Sequence, residues 1–357
     1  MTRKPRVAVV MGGRSSEHDI SLASAQSVLA ALEGAGYETV GIQIGREGRW
    51  SLASNSLLLD QKTPEQAGSN PGNSLQLAPE TPGETLPIPS ERGVPAALSE
   101  VDVVIPVLHG PFGEDGTVQG LLELADVPYV GPGVTASAVC MDKDLFKKIL
   151  RDSGIPVARH LKVREGDPFQ NPYGYPVFVK PARLGSSVGI TKAHDPDELE
   201  EGLRLAFRHD EKVLVEEYIA GIEVECSVLG NFDDPIASLP GEIVPNAEWY
   251  DYSAKYDEGG MELIVPARID EDAQKRVQDV SIQAFLATDC EGMARADCFV
   301  REDGEVIVNE LNTIPGFTAT SVYAKLFEAS GIPYAELLER LIQLGIERHA
   351  RRSRLDY

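Results

Sequence analysis

Asp297, Glu310, Asn312 and Arg295 are the residues whose types and spacing point most directly to chemistry. They lie in RADCFVREDGEVIVNELNTIPG, Arg295 to Gly316, two runs of alternating apolar character around Asp303-Gly304. That pair suits a two-residue turn with positive φ at both centres, so Glu302 is expected to face Glu305. Counting outward, Asp297 falls opposite Glu310 and Arg295 opposite Asn312, and a side-chain period of two puts all four on one face. Two carboxylates across a ladder repel unless a cation stands between them. Asp, Glu and Asn oxygens are hard donors suited to Mg²⁺, which keeps its other positions for phosphates and water. Solvated acids that align by chance would look the same. The constrained turn Thr313-Ile314-Pro315-Gly316 favours a site, since it would present backbone N–H groups beside the acids.

A metal-phosphate platform needs elements that hold phosphates over it. Met141-Asp-Lys143 opens a helix expected to end at Ser153-Gly154, and Val177 to Lys180 reads as a strand followed by Pro181-Ala-Arg-Leu-Gly-Ser-Ser-Val-Gly189 and a return strand at Ile190-Thr191. Hydroxyls and free amides between antiparallel strands make a lid for phosphates, with Lys143 and Lys180 as the cations beside it. A lysine ending the apolar run Val177-Phe-Val179 would be expensive to bury unpaired. Val213 to Ile219 is a further strand whose exposed edge could pair with adenine, with an acid beyond it for the ribose. Asn246 to Glu262, aromatic and charged without a period, reads as a loop in which Lys255-Tyr256 closes over substrate, or else as a plain surface Ω-loop.

The N-terminal part must supply the other reactant. Arg6 to Met11 reads as a buried strand that breaks at Gly12-Gly13; a helix follows with Ile20, Ala23, Ser24, Val28 and Leu32 on one face, then a strand at Thr39 to Ile44. This βαβ opening puts GGRSSEHDIS at the carboxyl ends of parallel strands, where such sheets bind ligands. The loop lacks both GxGxxG and the P-loop lysine. Its Glu17 could meet an ammonium, or be a first-turn acid facing the helix dipole. Residues 53–98 read as a Pro-, Gly- and Ser-rich insertion with short edge strands at Leu75-Gln-Leu77 and Leu86-Pro-Ile88. Asp102 to Leu108 is a strand, followed by HGPFGEDG, a helix through Leu124 and a short strand at Pro128 to Gly131. His109 is either a ligand contact or a cap to its turn. Helices are expected over Asp270 to Thr288, Ser321 to Ala329 and Tyr334 to Arg348, and Arg348 to Arg354 reads as a solvated basic tail.

A chain of 357 residues is too long for one ordinary core, and its net charge of −23 excludes a nucleic-acid backbone as main partner. Cys140, Cys226, Cys290 and Cys298 show no CxxC spacing, which suits reduced buried thiols in a cytosolic protein. No signal peptide or membrane-length apolar run is expected.

GGRSSEHDIS, HGPFGEDG, MDK, VKPARLGSSVG, VEEYIAGIE, KY, RAD and NELNTIPGFTATS together resemble D-alanine:D-alanine ligases of the ATP-grasp superfamily, in the family's order from about Arg6 to Leu344 apart from the insertion. The resemblance implies an α/β, three-domain ATP-grasp fold with an N-terminal Rossmann-like domain (1–131), a central subdomain (132–216) and a C-terminal subdomain (217–357) carrying the metal site. It implies that ATP phosphorylates one D-alanine and the amine of a second displaces the phosphate. Glu17, Ser186 and Tyr256 would form a triad at the first D-alanine, with His109 at the same subsite. Ser321 would take the carboxylate of the second. Lys143, Lys180 and Lys255 would meet phosphates, Lys255 also lying against substrate. Ser187, Glu216, Glu217, Tyr218, Ile219, Glu223, Phe299 and Asn309 would complete the ATP site. Asp297, Glu310 and Asn312 would hold two Mg²⁺, for which Mn²⁺ could substitute, while Arg295 and the Gly316 amide stabilise an oxyanion. A cytoplasmic homodimer serving peptidoglycan precursor synthesis, with no nucleic-acid or membrane partner, is the family expectation. Some members carry Lys where this chain has Glu217, so any base contact there rests on backbone. Another ATP-grasp ligase, including one that makes D-alanyl-D-lactate, and a non-catalytic nucleotide sensor are the competing readings. Tyr256 favours the dipeptide within the family. Tyr256→Phe is expected to raise ester formation at low pH, where D-lactate competes with protonated D-alanine; product analysis with both substrates checks it.

Overall fold

Val7–Gly12 (β1) is six buried residues, VAVVMG, flanked by Thr39–Ile44 (β2) and Val103–Val107 (β5), both parallel to it. A strand covered on both faces needs a continuous apolar run rather than alternation. The computed structural model describes residues 3–53, 74–75, 98, 100–245 and 260–356. The chain leaves β1 at Gly12, φ +89°, where a Cβ would stand 2.3 Å from the Ile44 carbonyl oxygen, so only glycine fits. Helix His18–Gly34 (α1) then returns across the sheet on Ser21, Ser24, Ala25, Val28, Leu29 and Leu32. The expected face holds at Ser24, Val28 and Leu32 and is corrected at Ile20 and Ala23. Ser21 binds the Gly12 N–H at 2.7 Å and also the Val107 carbonyl, rotating α1 so that half-buried Ile20 and exposed Ala23 line a cavity instead.

Trp50–Ala53 (β3) and Ser74–Leu75 (β4) extend the sheet antiparallel to order β4-β3-β2-β1-β5. One expected edge strand is therefore present at Ser74–Leu75, and Leu86-Pro-Ile88 lies outside the described residues. Thr117–Leu124 (α2) follows as expected. The strand expected at Pro128 to Gly131 is only a single parallel bridge, Val104 to Tyr129. Buried Arg348 takes the Tyr129 carbonyl at 3.0 Å and the Gly131 carbonyl, the groups a ladder would use.

Val134–Met141 (α3), not expected from the sequence, leads to Lys143–Asp152 (α4), which is capped by Asp142 accepting the Leu145 N–H. A second sheet, order β6-β9-β7-β8, is antiparallel: His160–Arg164 (β6), Val177–Pro181 (β7), Thr191–Ala193 (β8) and Lys212–Glu217 (β9), with Pro196–Ala206 (α5) packed on it. The third sheet contains Ile222–Gly230 (β10), Ile236–Ala237 (β11), Gly241–Pro245 (β12), Met261–Ile264 (β13), Gly292–Val300 (β14) and Val306–Asn312 (β15). Glu271–Ala287 (α6), capped by Asp270, covers one face of it.

Val322–Ala329 (α7) and Tyr334–Arg352 (α8) fold back onto the first sheet, where Tyr323, Phe327, Leu337 and Leu341 share one core with Val7, Val9 and Met11. The basic tail was expected to be solvated. Instead α8 runs on to Arg352, because Arg348 is buried on carbonyls while Arg351 pairs with Glu291 and Arg352 with Glu123.

The β14–β15 hairpin turns differently from the expectation yet delivers the expected pairing. Arg301, not Glu302, faces Glu305, and Gly304 at φ +81° closes a three-residue loop that the Arg276 guanidinium pins through the Gly304 carbonyl at 3.0 Å. The register is thereby one residue short from Val300–Val306 to Cys298–Val308. A bulge at Asn309 adds the residue back, so Asp297 again stands opposite Glu310 and Arg295 opposite Asn312.

Gly345 tests the packing of α8 on the first sheet. Glycine to alanine inside a helix ordinarily stabilises by about 1 kcal/mol, but here the Cβ would stand 2.6 Å from the Tyr129 carbonyl oxygen. Gly345→Ala is expected to destabilise by about 1–3 kcal/mol, read by denaturant unfolding.

Candidate active site

Two cavities meet at Gly185 and Ser186, and the β14–β15 hairpin serves both. The first, about 370 Å³, lies between the second and third sheets and is lined by Lys143, Lys180, Ser187, Glu216, Tyr218, Ile219, Glu223, Asp297, Phe299, Asn309 and Glu310, among others. The second, about 390 Å³, lies against α1 and is lined by Glu17, His109, Glu114, Arg295, Asn312, Gly316 and Ser321, among others. Position along two paired strands explains the division. Asp297–Glu310 and Arg295–Asn312 are successive rungs on one face, so the acids open to one cavity and the arginine and amide to the other.

Charge in the first cavity is paired on every side. Lys180 Nζ lies 2.7 Å from Glu216 Oε1 and 3.3 Å from Asn309 Oδ1. Lys143 Nζ donates to the Leu184 carbonyl at 2.8 Å and stands 3.5 Å from Glu310. Burial opposes ionisation of Glu216, but the ammonium groups of Lys147 and Lys180 outweigh it and hold the carboxyl down at about 2. Phe178 and Tyr218, ring centroids 6.4 Å apart, form an apolar wall with Ile219 and Phe299. Ser186 and Ser187 have φ of 52° and 57°, which side-chain-bearing residues rarely adopt, and so turn the lid loop over the junction.

In the second cavity, Glu17 sits at the N-cap of α1 without capping it, and its carboxylate instead accepts the Ser186 hydroxyl. The helix-dipole reading of Glu17 therefore gives way to a contact between the first-sheet loop and the lid. His109 is buried, with Nδ1 3.0 Å from the Ile314 carbonyl and 3.5 Å from Glu114. Burial works against its protonation, yet Glu114 and Glu17 lift its pKa above the ordinary value. The Ser321 hydroxyl accepts the Thr318 N–H at 3.0 Å and faces the cavity beside Gly316.

Arg295 holds Asp297 with two contacts of 2.7 Å and also reaches Glu225 at 2.9 Å. Asn312 Nδ2 donates to Asp297 at 2.9 Å. Asp297 and Glu310 thus bring hard carboxylate oxygens to one place with the Asn312 amide against Asp297, a set that fits a small divalent cation. A cation there would take the Asp297 oxygens from Arg295, for which Glu225 remains within reach.

Family models for the D-Ala D-Ala ligase N-terminus and C-terminus match residues 6–132 and 149–343. A D-alanine–D-alanine ligase of Streptomyces avermitilis is 46% identical over 369 residues, spanning 97% of this chain and 95% of its own. The chain belongs to the D-alanine–D-alanine ligase family. Among solved structures, the family's enzyme from Coxiella burnetii superposes with a TM-score of 0.83 at 38% identity, covering 99% of this chain and 97% of its own. VanG D-Ala:D-Ser ligase from Enterococcus faecalis gives 0.80 at 34%, covering 96% and 100%. The Bacillus anthracis ligase complexed with ATP gives 0.74 at 27%, covering 98% and 100%. The three sheets accordingly form the ATP-grasp fold of the D-alanine–D-alanine ligases.

Every described residue singled out from the sequence lines one cavity or the other. Lys255 and Tyr256 lie outside the described residues. The Glu217 side chain also turns towards Arg159, 2.6 Å away. Sequence reasoning about this ligase-family chain missed Phe178, Lys147, Glu225 and Glu114. Two carried a usable signal: Lys147 is four residues beyond Lys143 on α4, and Glu225 two beyond Glu223 on β10. Glu114 sat unassigned inside HGPFGEDG.

Glu216 binds its proton more weakly in the folded chain, at about 2 against an ordinary 4.5. Its stabilising contribution is therefore complete above about pH 4.5 and lost as pH falls towards 2. Glu216→Gln is expected to flatten the acid limb of unfolding free energy over that window by on the order of 2–3 kcal/mol, read by denaturant titrations at stepped pH.

Proposed function

We propose that this chain uses ATP to join two D-alanine molecules into D-alanyl-D-alanine. The observation that carries the reading is the division of one hairpin face between two cavities: phosphate-facing acids and lysines on one side, and a buried carboxylate, an arginine and a helix N-terminus on the other. The domains are read as 1–131, 132–216 and 217–357.

In the first cavity, Lys143, Lys180 and the Ser186–Ser187 backbone hold phosphates, Phe178, Tyr218, Ile219 and Phe299 enclose the base, and Glu223 takes the ribose. Asp297, Glu310 and Asn312 would hold two Mg²⁺, for which Mn²⁺ could substitute; such ions would neutralise phosphate charge during phosphoryl transfer. Glu17, anchored by Ser186, receives the ammonium of the first D-alanine and so aims its carboxylate at the junction of the cavities. His109, whose protonation Glu114 and Glu17 favour against burial, stands at that subsite. The carboxylate oxygen attacks the γ-phosphorus, ADP leaves, and an acyl phosphate remains. Ser321, at the N-terminus of α7, takes the carboxylate of the second D-alanine. Its amine attacks the acyl carbon, and Arg295 with the Gly316 N–H stabilises the oxyanion before phosphate departs. Each such donor is worth roughly 3 kcal/mol. Lys255 and Tyr256 are assigned by family resemblance, the lysine to phosphate and substrate and the tyrosine to closing over Glu17 and Ser186.

The product suits peptidoglycan precursor synthesis in the cytoplasm, and the chain is read as a homodimer. No described helix is long and apolar enough to cross a membrane.

Purified protein with ATP and Mg²⁺ is expected to release phosphate and form dipeptide with D-alanine alone. D-lactate, D-serine and L-alanine serve as alternative second substrates. Absence of phosphate release with any amino acid would favour the sensor, and turnover only with another second substrate would move the chain to that branch of the family. Glu310→Gln is expected to cut turnover by about 10³-fold or more, since the cation contributes several kcal/mol to the transition state. Its melting temperature should hold, because one of two facing acids has been neutralised.

A further inference from the structure

Lys147 lies one helical turn beyond Lys143 on α4, and its side chain is 1% exposed. It does not line the first cavity. Its Nζ stands 3.0 Å from Glu216 Oε2 and donates to the Asn309 carbonyl at 3.0 Å. The other Glu216 oxygen holds Lys180 at 2.7 Å, and the Asn309 side chain reaches Lys180 at 3.3 Å. One buried carboxylate is thus shared by two ammonium groups. The bulge residue serves both, with its main chain on Lys147 and its side chain on Lys180.

The two lysines are not equivalent. Lys180 faces the cavity, where an incoming phosphate competes with Glu216 for its ammonium. Were Lys180 the sole partner of Glu216, that competition would strand a carboxylate that is 2% exposed, and the cost would be charged against ligand binding. Lys147 does not line the cavity, so an occupant there does not compete with Glu216 for its ammonium. We propose that Lys147 is a positioning residue, the permanent counter-ion of Glu216 that releases Lys180 to a nucleoside polyphosphate and ties the Asn309 bulge to the cleft. The bulge sets the register that places Asp297 opposite Glu310, so a single ammonium links the phosphate cation to the acid pair. This inference rests on the nucleotide reading of the first cavity.

The test is calorimetric binding of ADP with Mg²⁺ and, separately, of adenosine. The unmodified protein must bind ADP; failure there overturns the nucleotide reading itself. Lys147→Met is expected to weaken ADP by about tenfold or more, the scale of a charge-assisted contact, and adenosine by less than about threefold. Lys147→Arg should stay near the unmodified protein. Equal weakening of both ligands, or no weakening of either, overturns the counter-ion role while leaving the nucleotide reading intact. Adding Glu216→Gln to Lys147→Met should restore the ADP-to-adenosine ratio, since no anion then holds Lys180 back. If Lys147→Met alone does not fold, the comparison becomes Lys147→Met/Glu216→Gln against Glu216→Gln. The two must then share one ratio, and a further tenfold loss of ADP in the double variant would sink the proposal.

Discussion

Three carboxylates stand abreast on the third sheet: Glu225 pairs with Asp297, and Asp297 with Glu310. Like charges directly across a ladder are destabilising, and two unit charges about 4 Å apart at an effective dielectric near 20 interact by about 4 kcal/mol. The row persists because Arg295 binds Asp297 bidentately and reaches Glu225 at 2.9 Å, while Lys143 stands 3.5 Å from Glu310. Much of the surrounding architecture serves this repulsion. A guanidinium suits the central place better than an ammonium would, since its planar fork can serve two carboxylates without deprotonating.

The same logic extends outward from the row. A chain with net charge −23 would repel a nucleoside polyphosphate if its charges were spread evenly. Lys143, Lys147, Lys180 and Lys192 instead gather around one cleft and its walls. Each of the buried ones is brought there with a partner: Lys180 and Lys147 share Glu216, and Lys143 has a backbone carbonyl as well as Glu310. Desolvation is thus offset in the resting chain, and a phosphate has only to exchange with anions already in place.

Contacts between distant segments bring the two cavities together. The Glu17–Ser186 hydrogen bond joins the loop after β1 to the loop after β7, and His109 reaches the Ile314 carbonyl. The C-terminal helices close the circuit by sharing a core with β1, so the first sheet and the hairpin are held as one frame. A transfer between neighbouring cavities depends on that rigidity, because misplacement by an ångström forfeits most of the benefit of proximity.

The sequence by itself determined what depends on local period and residue type. A continuous apolar run with glycines after it made β1 and its mouth legible. Asp142 and Asp270 signalled helix starts, and alternation placed Asp297, Glu310, Arg295 and Asn312 on one face. The pairing of those four was right although the turn was not: Arg301 faces Glu305, and the Asn309 bulge compensates, a cancellation that counting outward from Asp303-Gly304 could not reveal. Only the tertiary structure decided which lysine faces the cleft and which lies behind it, why Arg348 is a buried strut rather than a solvated tail, and that Glu17 answers to Ser186 rather than to its own helix. Those outcomes turn on partners 36 to 219 residues away along the chain. The burial and pairing of a charge are set by whatever the fold packs against it, and no local pattern carries that information.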